Sequence, residues 1–281
     1  MPGVVPDEPD NLFPPQPERA GALNEKAPRT IATGVSYSVC STAQGACRHE
    51  HGGGMTGRMA GARPGAPPTT LVIALIPLAV AVNFVANWVA GLLRLPIYLD
   101  TIGTFLAAVL LGPWWGALAG VLTNALGIAP NGVSNLLFAP VSVAAALVWG
   151  YGIRSLGLGR SGVAFFLLAV VVGIVTGVLA TPIVLFLFGG ATGHPSDLIT
   201  AALASIGLEK ATMISSVLSS VPDKVISSYI GLAITAALPV AVAARAVLPE
   251  QPGTRRLTVA LAGILVGIAL AVVVVITQSP A

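Results

Sequence analysis

Residues 96–128 read PIYLDTIGTFLAAVLLGPWWGALAGVLTNALGI, an apolar run with one interruption at Gly112-Pro113. A proline has no backbone N–H donor and disfavours a helical residue before it, so this run predicts two short helices instead of one long helix. Trp114 and Trp115 directly follow the interruption, and indole side chains prefer the membrane–water interface. The stretch therefore predicts a pair of membrane helices joined at an interface.

The composition of the whole chain indicates a membrane protein. Of its 281 residues, 55% are hydrophobic and 9% are charged, and the mean hydropathy is +0.87. An ordinary soluble domain has about 25% charged residues. Residues 66–281 carry only eight basic and five acidic side chains, so the apolar body begins near residue 66. The net charge of +3 lies there in short segments between apolar runs and requires no nucleic-acid partner.

Residues 1–65 form a different kind of segment. They contain eight of the 22 prolines and mixed charges without an apolar period, which predicts a disordered polar segment. An internal start at Met55 or Met59 is an alternative, because three glycines precede Met55 and glycine codons begin with GG, as in a purine-rich ribosome site. The cysteine and histidine residues of this segment match none of the usual paired zinc-ligand spacings. We predict no metal site and no cofactor.

The apolar segments predict an all-α, polytopic membrane helix bundle. A helical span requires about 20 apolar residues. We expect six core helices and a seventh, C-terminal helix, at about residues 71–93, 97–111, 114–128, 133–153, 163–188, 222–246 and 257–277. The six-helix membrane domain would cover residues 66–248, and residues 249–281 would form a linker and the additional transmembrane helix.

The segment at residues 189–221 admits two interpretations. Its apolar residues keep a helical period, but Glu209 and Lys210 lie in its middle, where a charge in the membrane costs about 2.5–3.5 kcal/mol. If the segment does not span, seven of the ten basic residues in and near the apolar body face the cytoplasm and three face outward, as the positive-inside rule favours. We therefore predict a cytoplasmic N-terminus and an external loop with a surface helix at residues 189–221.

The chain lacks the motifs of several enzyme classes. It contains no G-x-x-x-x-G-K-[ST] phosphate loop, no H-E-x-x-H and no G-x-S-x-G motif. A phosphate loop is what a chain of this kind would need to drive transport by its own ATP hydrolysis. We predict that the protein is not an enzyme, which leaves binding, conduction or signalling.

Small residues recur at four-residue steps in three of the predicted helices. They are Gly112, Gly116 and Gly120 in the third helix, Ala86 and Ala90 in the first, and Gly173 and Gly177 in the fifth. Such smooth faces mark close helix contacts, either inside a bundle or with another membrane protein. We expect at least one of these faces to be a partner interface.

Polar residues are predicted to converge at the outer side of the membrane. Amides, a phenol, two carboxylates and an ammonium group come from four helices: Tyr98, Asp100, Asn124, Asn131, Asn135, Asp223 and Lys224. A concave site with these groups suits a small polar heteroaromatic ligand. For Asp223 and Lys224 an interfacial helix start is an alternative, with the carboxylate at the helix N-terminus and the lysine extended toward water.

Two separated motifs resemble the substrate-binding S components of energy-coupling factor (ECF) vitamin transporters, which are ABC-type importers. The first is PIYLDTIGT at 96–104, followed by LGPWWGA at 111–117 and GVLTN at 120–124; the second is VPDK at 221–224. In that family a proline-led short helix, a Gly-Pro turn and a Gly-rich third helix with a polar end recur. The resemblance covers about residues 70–247.

The resemblance implies a six-helix bundle in a prokaryotic cytoplasmic membrane that captures a vitamin or vitamin precursor at the outer face. It also implies docking on a transmembrane coupling (T) subunit, which two ABC ATPase subunits drive. Small residues of the first helix would form the docking surface, either Ala86 with Ala90 or Ala79 with Asn83. The seventh helix and the long N-terminal segment depart from the six-helix chain of the family.

Two functions outside this family remain open from the sequence. A membrane sensor subunit of a signalling system is the main alternative, since such receptors also carry Gly-rich helices. An autonomous channel or secondary transporter ranks behind it, because those folds predict broken helices in both halves of the chain and only one Gly-Pro break is visible.

Overall fold

A computed structural model describes residues 66–246, 248 and 253–278 of the chain. The predictions of a disordered segment at residues 1–65 and of internal starts at Met55 or Met59 lie outside the described residues. Every regular element in the described part is helical. Four helices are long and apolar enough to cross a membrane, namely Thr69–Leu92, Val133–Arg154, Gly162–Phe188 and Leu208–Ala237. The predicted all-α membrane helix bundle is confirmed.

Seven main helices form the described part of the bundle. They are α1 (Thr69–Leu92), α2 (Ile102–Leu110), α3 (Pro113–Leu126), α4 (Ala139–Arg154), α5 (Gly162–Phe188), α6 (Leu208–Ala237) and α7 (Gly253–Gln278). Short helical turns lie between them at Ile128–Asn131, Val133–Phe138, Leu158–Arg160, Asp197–Ala202, Ala204–Ile206 and Val240–Ala243.

Helix α2 lies at the centre of the bundle. All of its residues are buried, and α1, α3, α4 and α6 contact it, which explains why it is apolar on every face. The ring of Phe105 packs edge-to-face on Trp149 and Phe165, with centroids 5.5 and 6.0 Å apart. At the other end of the helix, the Arg154 guanidinium donates a 3.0 Å hydrogen bond to the carbonyl of Val109. This bond satisfies a helix-end carbonyl that would otherwise lack a partner.

The predicted break at Gly112-Pro113 is confirmed. Helix α2 ends at Leu110. Gly112 has φ +131°, a backbone conformation that residues other than glycine rarely adopt. Pro113 then begins α3. Backbone N–H groups in the first turn of a helix have no acceptor within it, so a proline there costs no helical hydrogen bond. The chain therefore reverses after a short buried helix and returns along α1 and α4.

Helix α6 corrects the prediction for residues 189–246. The sequence predicts a surface helix within an external loop at 189–221 and a span at 222–246, but Leu208–Ala237 form one helix of 30 residues. The helix begins after Gly207, so Glu209 and Lys210 lie in its first turn and not in the middle of a membrane segment. The expected cost of a charge in the membrane centre therefore does not arise for these two residues.

Pro222 lies inside α6 and does not end it. Proline is tolerated within membrane helices because neighbouring helices and side chains satisfy the freed backbone group. Helix α6 has the lowest hydropathy of the four spans, 1.2, and the largest buried share, 61%. Its polar side chains thus face the bundle interior. Because they occupy buried positions that are usually apolar, the sequence of this helix shows only a weak apolar pattern.

The predicted partner interface is corrected in part. A methyl group on Gly116 would meet the backbone of Ala108 at 2.8 Å, and one on Gly120 would meet the side chain of Ser142 at 2.8 Å. Gly112 is buried as well, and Ala90 is 1% exposed. Gly116, Gly120 and Ala90 are thus used in packing within the chain, whereas a Cβ added to Gly112 would meet no atom within 4 Å. Ala86 is half-buried, and its place in a partner interface stays a prediction.

Helix α7 packs along α6. An added Cβ on Gly263 would lie 2.3 Å from the ring of Tyr229, and one on Gly267 would lie 2.4 Å from Ile226. Two glycines at a four-residue spacing allow such close approach of two membrane helices. The additional helix predicted within residues 249–281 thus lies against α6.

Candidate functional site

A polar cavity of about 370 Å³ opens at one end of the bundle. Parts of five helices surround it, namely the C-terminal halves of α1, α3 and α5, the N-terminal half of α4 and the first part of α6. The chain segments at 93–101, 127–138 and 189–207 complete the wall. Its volume lies within the range of about 300–1,000 Å³ that is usual for small-molecule sites. The ends of five helices therefore build one concave site.

Six of the seven predicted substrate-binding residues line this cavity. They are Tyr98, Asp100, Asn124, Asn131, Asn135 and Lys224. Asp223 does not line it, because its side chain is fully buried behind the wall. The structure thus brings the predicted polar groups together, with one of them in a supporting position.

Three charged groups form a cluster where α6 meets the segment at 93–101. Lys224 Nζ donates a hydrogen bond to Asp223 Oδ2 and lies 3.6 Å from Asp100 Oδ1. Asp223 and Lys224 lie in the interior of α6, so the alternative of an interfacial helix start is wrong. The cluster connects the centre of a membrane helix to the cavity wall.

Asp223 holds the segment at 93–101 in an unusual conformation. Its Oδ1 accepts a 2.6 Å hydrogen bond from the backbone amide of Leu99. Leu99 has φ +51°, in the left-handed region that costs a residue with a β-carbon about 1 kcal/mol or more. The buried carboxylate thereby stabilises the backbone that positions Tyr98 and Asp100 at the cavity.

Tyr98 joins the two segments that border the open end of the cavity. Its ring stacks on His194 with centroids 4.0 Å apart, and its hydroxyl lies 3.3 Å from the Ser196 hydroxyl. The backbone amide of Ser196 donates to His194 Nδ1 at 3.2 Å. Burial lowers the pKa of His194, so its imidazole is neutral near pH 7. Burial also raises the pKa of Tyr98, which keeps the phenol protonated.

The predicted asparagines line the cavity, and two of them also make hydrogen bonds within the protein. The Nδ2 group of Asn124 donates to the Ser142 hydroxyl at 2.8 Å and to the carbonyl of Gly120 at 2.9 Å. Asn135 Nδ2 donates to the backbone carbonyl of Asn124 at 2.9 Å. Asn131 lies on the exposed turn between α3 and α4. The amide groups of Asn124 and Asn135 thus tie the end of α3 to α4 while they face the cavity.

Sequence reasoning missed a stripe of hydroxyl groups on α6. Ser215, Ser216, Ser219 and Ser220 line the cavity, and Ser215 also donates a 3.1 Å hydrogen bond to the carbonyl of Ser196. Their spacing places them on one face of a helix, which was a usable signal once the segment was treated as membrane-embedded. The cavity-lining residues Thr176 and His194 were also missed.

A second depression, of about 570 Å³, is an open groove between α4 and α5 lined almost wholly by apolar side chains. It has no converging polar groups that would orient a ligand, whereas the polar cavity has many. We therefore take the polar cavity as the candidate site.

Comparisons with protein-family models, with curated proteins and with solved structures found no match. Within residues 66–246, 248 and 253–278, no group of three or more His, Cys, Asp or Glu side chains is placed to hold a metal ion. The polar cavity is therefore the feature of this protein that indicates its function.

Proposed function

We propose that this protein is the substrate-binding S component of an ECF-type ABC importer. It captures a vitamin or vitamin-like micronutrient at the outer face of a prokaryotic cytoplasmic membrane and delivers it to a coupling subunit with two ABC ATPase subunits. The observation that carries the proposal is the polar cavity of about 370 Å³ at one end of an otherwise apolar helix bundle. Polar groups that converge inside a membrane protein are characteristic of a substrate site.

The distribution of basic residues favours an outward-facing cavity. Three arginines lie at the bundle end away from the cavity: Arg154 ends α4, Arg160 lies in the α4–α5 connection and Arg245 follows α6. Arg94 and Lys210 lie at the cavity end. Since cytoplasmic loops carry the excess of basic residues, the cavity would face outward and the N-terminus would be cytoplasmic.

A panel of vitamins tests the capture function. Calorimetry on the purified full chain in detergent, with thiamine, riboflavin, biotin, folate, pyridoxine and their precursors, should find one tight ligand. Single changes Asn124→Ala and Asn135→Ala should weaken its binding by about 10- to 100-fold, because each removes a hydrogen-bonding group from the cavity wall. Glu209→Ala, in the exposed first turn of α6, is the control and should change binding little. Absence of any tight ligand would overturn the proposal.

A docking experiment tests the delivery step. Ala86 on α1 is half-buried, and Ala86→Leu adds volume on this helix without touching the cavity lining. We expect the variant to lose uptake in cells that also produce the coupling and ATPase subunits, while the purified variant binds ligand as the wild type does. If binding and uptake are lost together, Ala86 serves the packing of the bundle and not a partner contact.

A further inference from the structure

The charges around the polar cavity do not cancel. Asp223 and Lys224 neutralise each other through their direct hydrogen bond. Asp100 is left with a 3.6 Å ion-pair contact to Lys224, which is too long for a hydrogen bond. Its Oδ1 is buried and accepts no hydrogen bond within the part of the chain that the structure describes. Burial raises the pKa of the Asp100 carboxyl, whereas the nearby Lys224 ammonium lowers it. In its ionised form Asp100 gives the three groups one excess negative charge.

Within the described part of the chain, the cavity wall holds no second cation that would balance this charge. Among the described residues, His194 is the only basic side chain besides Lys224 that lines the cavity, and its lowered pKa leaves it neutral near pH 7. Asp197 adds a further carboxylate to the wall, but it accepts hydrogen bonds from the Thr192 hydroxyl at 3.2 Å and the Gly193 amide at 2.7 Å. The charge of Asp197 is thus stabilised by two hydrogen bonds, whereas Asp100 has only the 3.6 Å contact with Lys224.

Aromatic groups line the same cavity. Phe84, Tyr98, Phe138 and Phe188 contribute to its wall, and the face of an aromatic ring attracts a cation, most strongly when both are shielded from water. The volume of about 370 Å³ is that of a small-molecule site and far exceeds what a bare ion fills.

We propose that the ligand of this cavity is a small organic monocation, such as a quaternised heteroaromatic base, held with its positive charge beside Asp100. This inference rests on the capture function proposed above and adds the charge class of the substrate. A cation beside Asp100 supplies a closer charged partner for its carboxylate than Lys224, which lies 3.6 Å away. An anion there would face an uncompensated like charge in surroundings of low dielectric.

Three probes with one ring skeleton and different charges test the inference without any change to the protein. Nicotinate is an anion near neutral pH, nicotinamide is neutral and 1-methylnicotinamide is a cation. Competition against the tight ligand of the vitamin panel, or direct calorimetry at high probe concentration, should rank them cation first, neutral second and anion last. We expect the cation to bind at least about tenfold more tightly than the anion, and its lead to shrink as salt is added.

A charge-removing variant locates the effect at one residue. Asp100→Asn should weaken binding of the cationic probe by about tenfold or more and leave binding of the neutral probe within a few-fold. Glu209→Gln removes the same charge from an exposed position on α6 outside the cavity, and it should alter neither. Asp100→Glu keeps the charge and should keep the preference, which separates a loss of charge from a loss of fold.

The outcomes distinguish this inference from the proposed function. If a neutral or anionic compound proves to be the tight ligand, or if the anionic probe binds as well as the cationic one, the charge inference fails while the capture function stands. If no compound of the panel or the probe set binds, both fail.

Discussion

Two asparagines on one face of α1 have different roles at the residue scale. Asn83 is fully buried, donates to the hydroxyls of Thr104 and Thr123 at 2.9 Å, and accepts from the amide of Gly103 at 2.6 Å. Its bonds thus join α1 to α2 and α3 in the interior. Asn87, one turn later, lines the cavity and donates to the carbonyl of Tyr98 at 2.9 Å.

Replacing these two residues should separate stability from binding. We expect Asn83→Ala to lower the free energy of unfolding by about 1–3 kcal/mol, because three interior hydrogen-bonding groups lose their partner. Asn87→Ala is the matched variant. We expect it to weaken ligand binding, and to lower the unfolding temperature less than Asn83→Ala does. Thermal unfolding and calorimetry on both proteins make the comparison. Equal effects of the two changes on both measurements would contradict the division of roles.

Acidification should loosen the segment that carries His194. Burial lowers the pKa of this imidazole from its ordinary value of 6.5, although the charges of Asp197 and Asp223 act in the opposite direction. The folded protein therefore takes up this proton less readily than the open segment does. The stability that the stack of neutral His194 on Tyr98 gives to this segment is complete above about pH 6.5. It declines as the pH falls below that value toward the lower pKa of His194 in the folded protein.

Hydrogen exchange is the measurement for this prediction. Corrected for intrinsic rates, exchange at residues 189–207 should accelerate between about pH 7 and about pH 5, the range in which histidine ordinarily titrates. His194→Gln keeps a polar side chain that cannot titrate there, so its exchange should lose most of this pH dependence. The same acceleration in the variant would assign the effect to another group.

At the scale of elements, α5 and α6 are packed in close backbone contact. A Cβ added to Gly177 would lie 2.7 Å from the Cα of Val217, and one added to Gly173 would lie 2.6 Å from the Cα of Val221. The two helices therefore approach until backbone meets backbone. This contact places the serine stripe of α6 opposite Thr176 in the cavity.

A single methyl group should disturb that contact. We expect Gly177→Ala to lower the free energy of unfolding by about 1–3 kcal/mol, because the backbone of α6 cannot move aside as a side chain could. Gly91, near the end of α1, has no atom within 4 Å of an added Cβ, so Gly91→Ala is the control and should be neutral or slightly stabilising. Thermal unfolding of both variants decides the point. A neutral Gly177→Ala would mean that the helices are not in backbone contact.

At the scale of the whole molecule, the cavity and the basic residues define two different ends. The cavity end carries the segment at 189–207, and the opposite end carries the connection between α4 and α5 with Arg160. The outward orientation of the cavity can therefore be tested by comparing one position from each end.

Cysteine labelling checks this orientation. In a background with Cys40→Ser and Cys47→Ser, a membrane-impermeant maleimide added to intact cells should label Ser205→Cys, because that turn lies at the cavity end. Leu156→Cys, at an exposed position after α4, should react only after the membrane is opened. The reverse pattern would place the cavity on the cytoplasmic side and contradict the positive-inside argument.

The sequence alone determined the class of the fold and most helix positions. Apolar runs of sufficient length, the Gly112-Pro113 break and the scarcity of charge predicted a helical membrane bundle, and the structure confirms it. Six of the seven predicted site residues line one cavity, because helices that run back and forth across a membrane bring polar helix ends to the same side.

The tertiary structure alone decided what each polar or small residue contacts. The extent of α6 could not be predicted, because its serines and its Asp223-Lys224 pair lower the apolar signal, and only burial against α5 and the segment at 93–101 compensates for them. A small-residue stripe looks the same whether its partner is another chain or, as at Gly116 and Gly120, another helix of this chain. Local periodicity shows which face of a helix carries small or polar residues. The neighbour that covers this face depends on contacts between residues far apart in the chain.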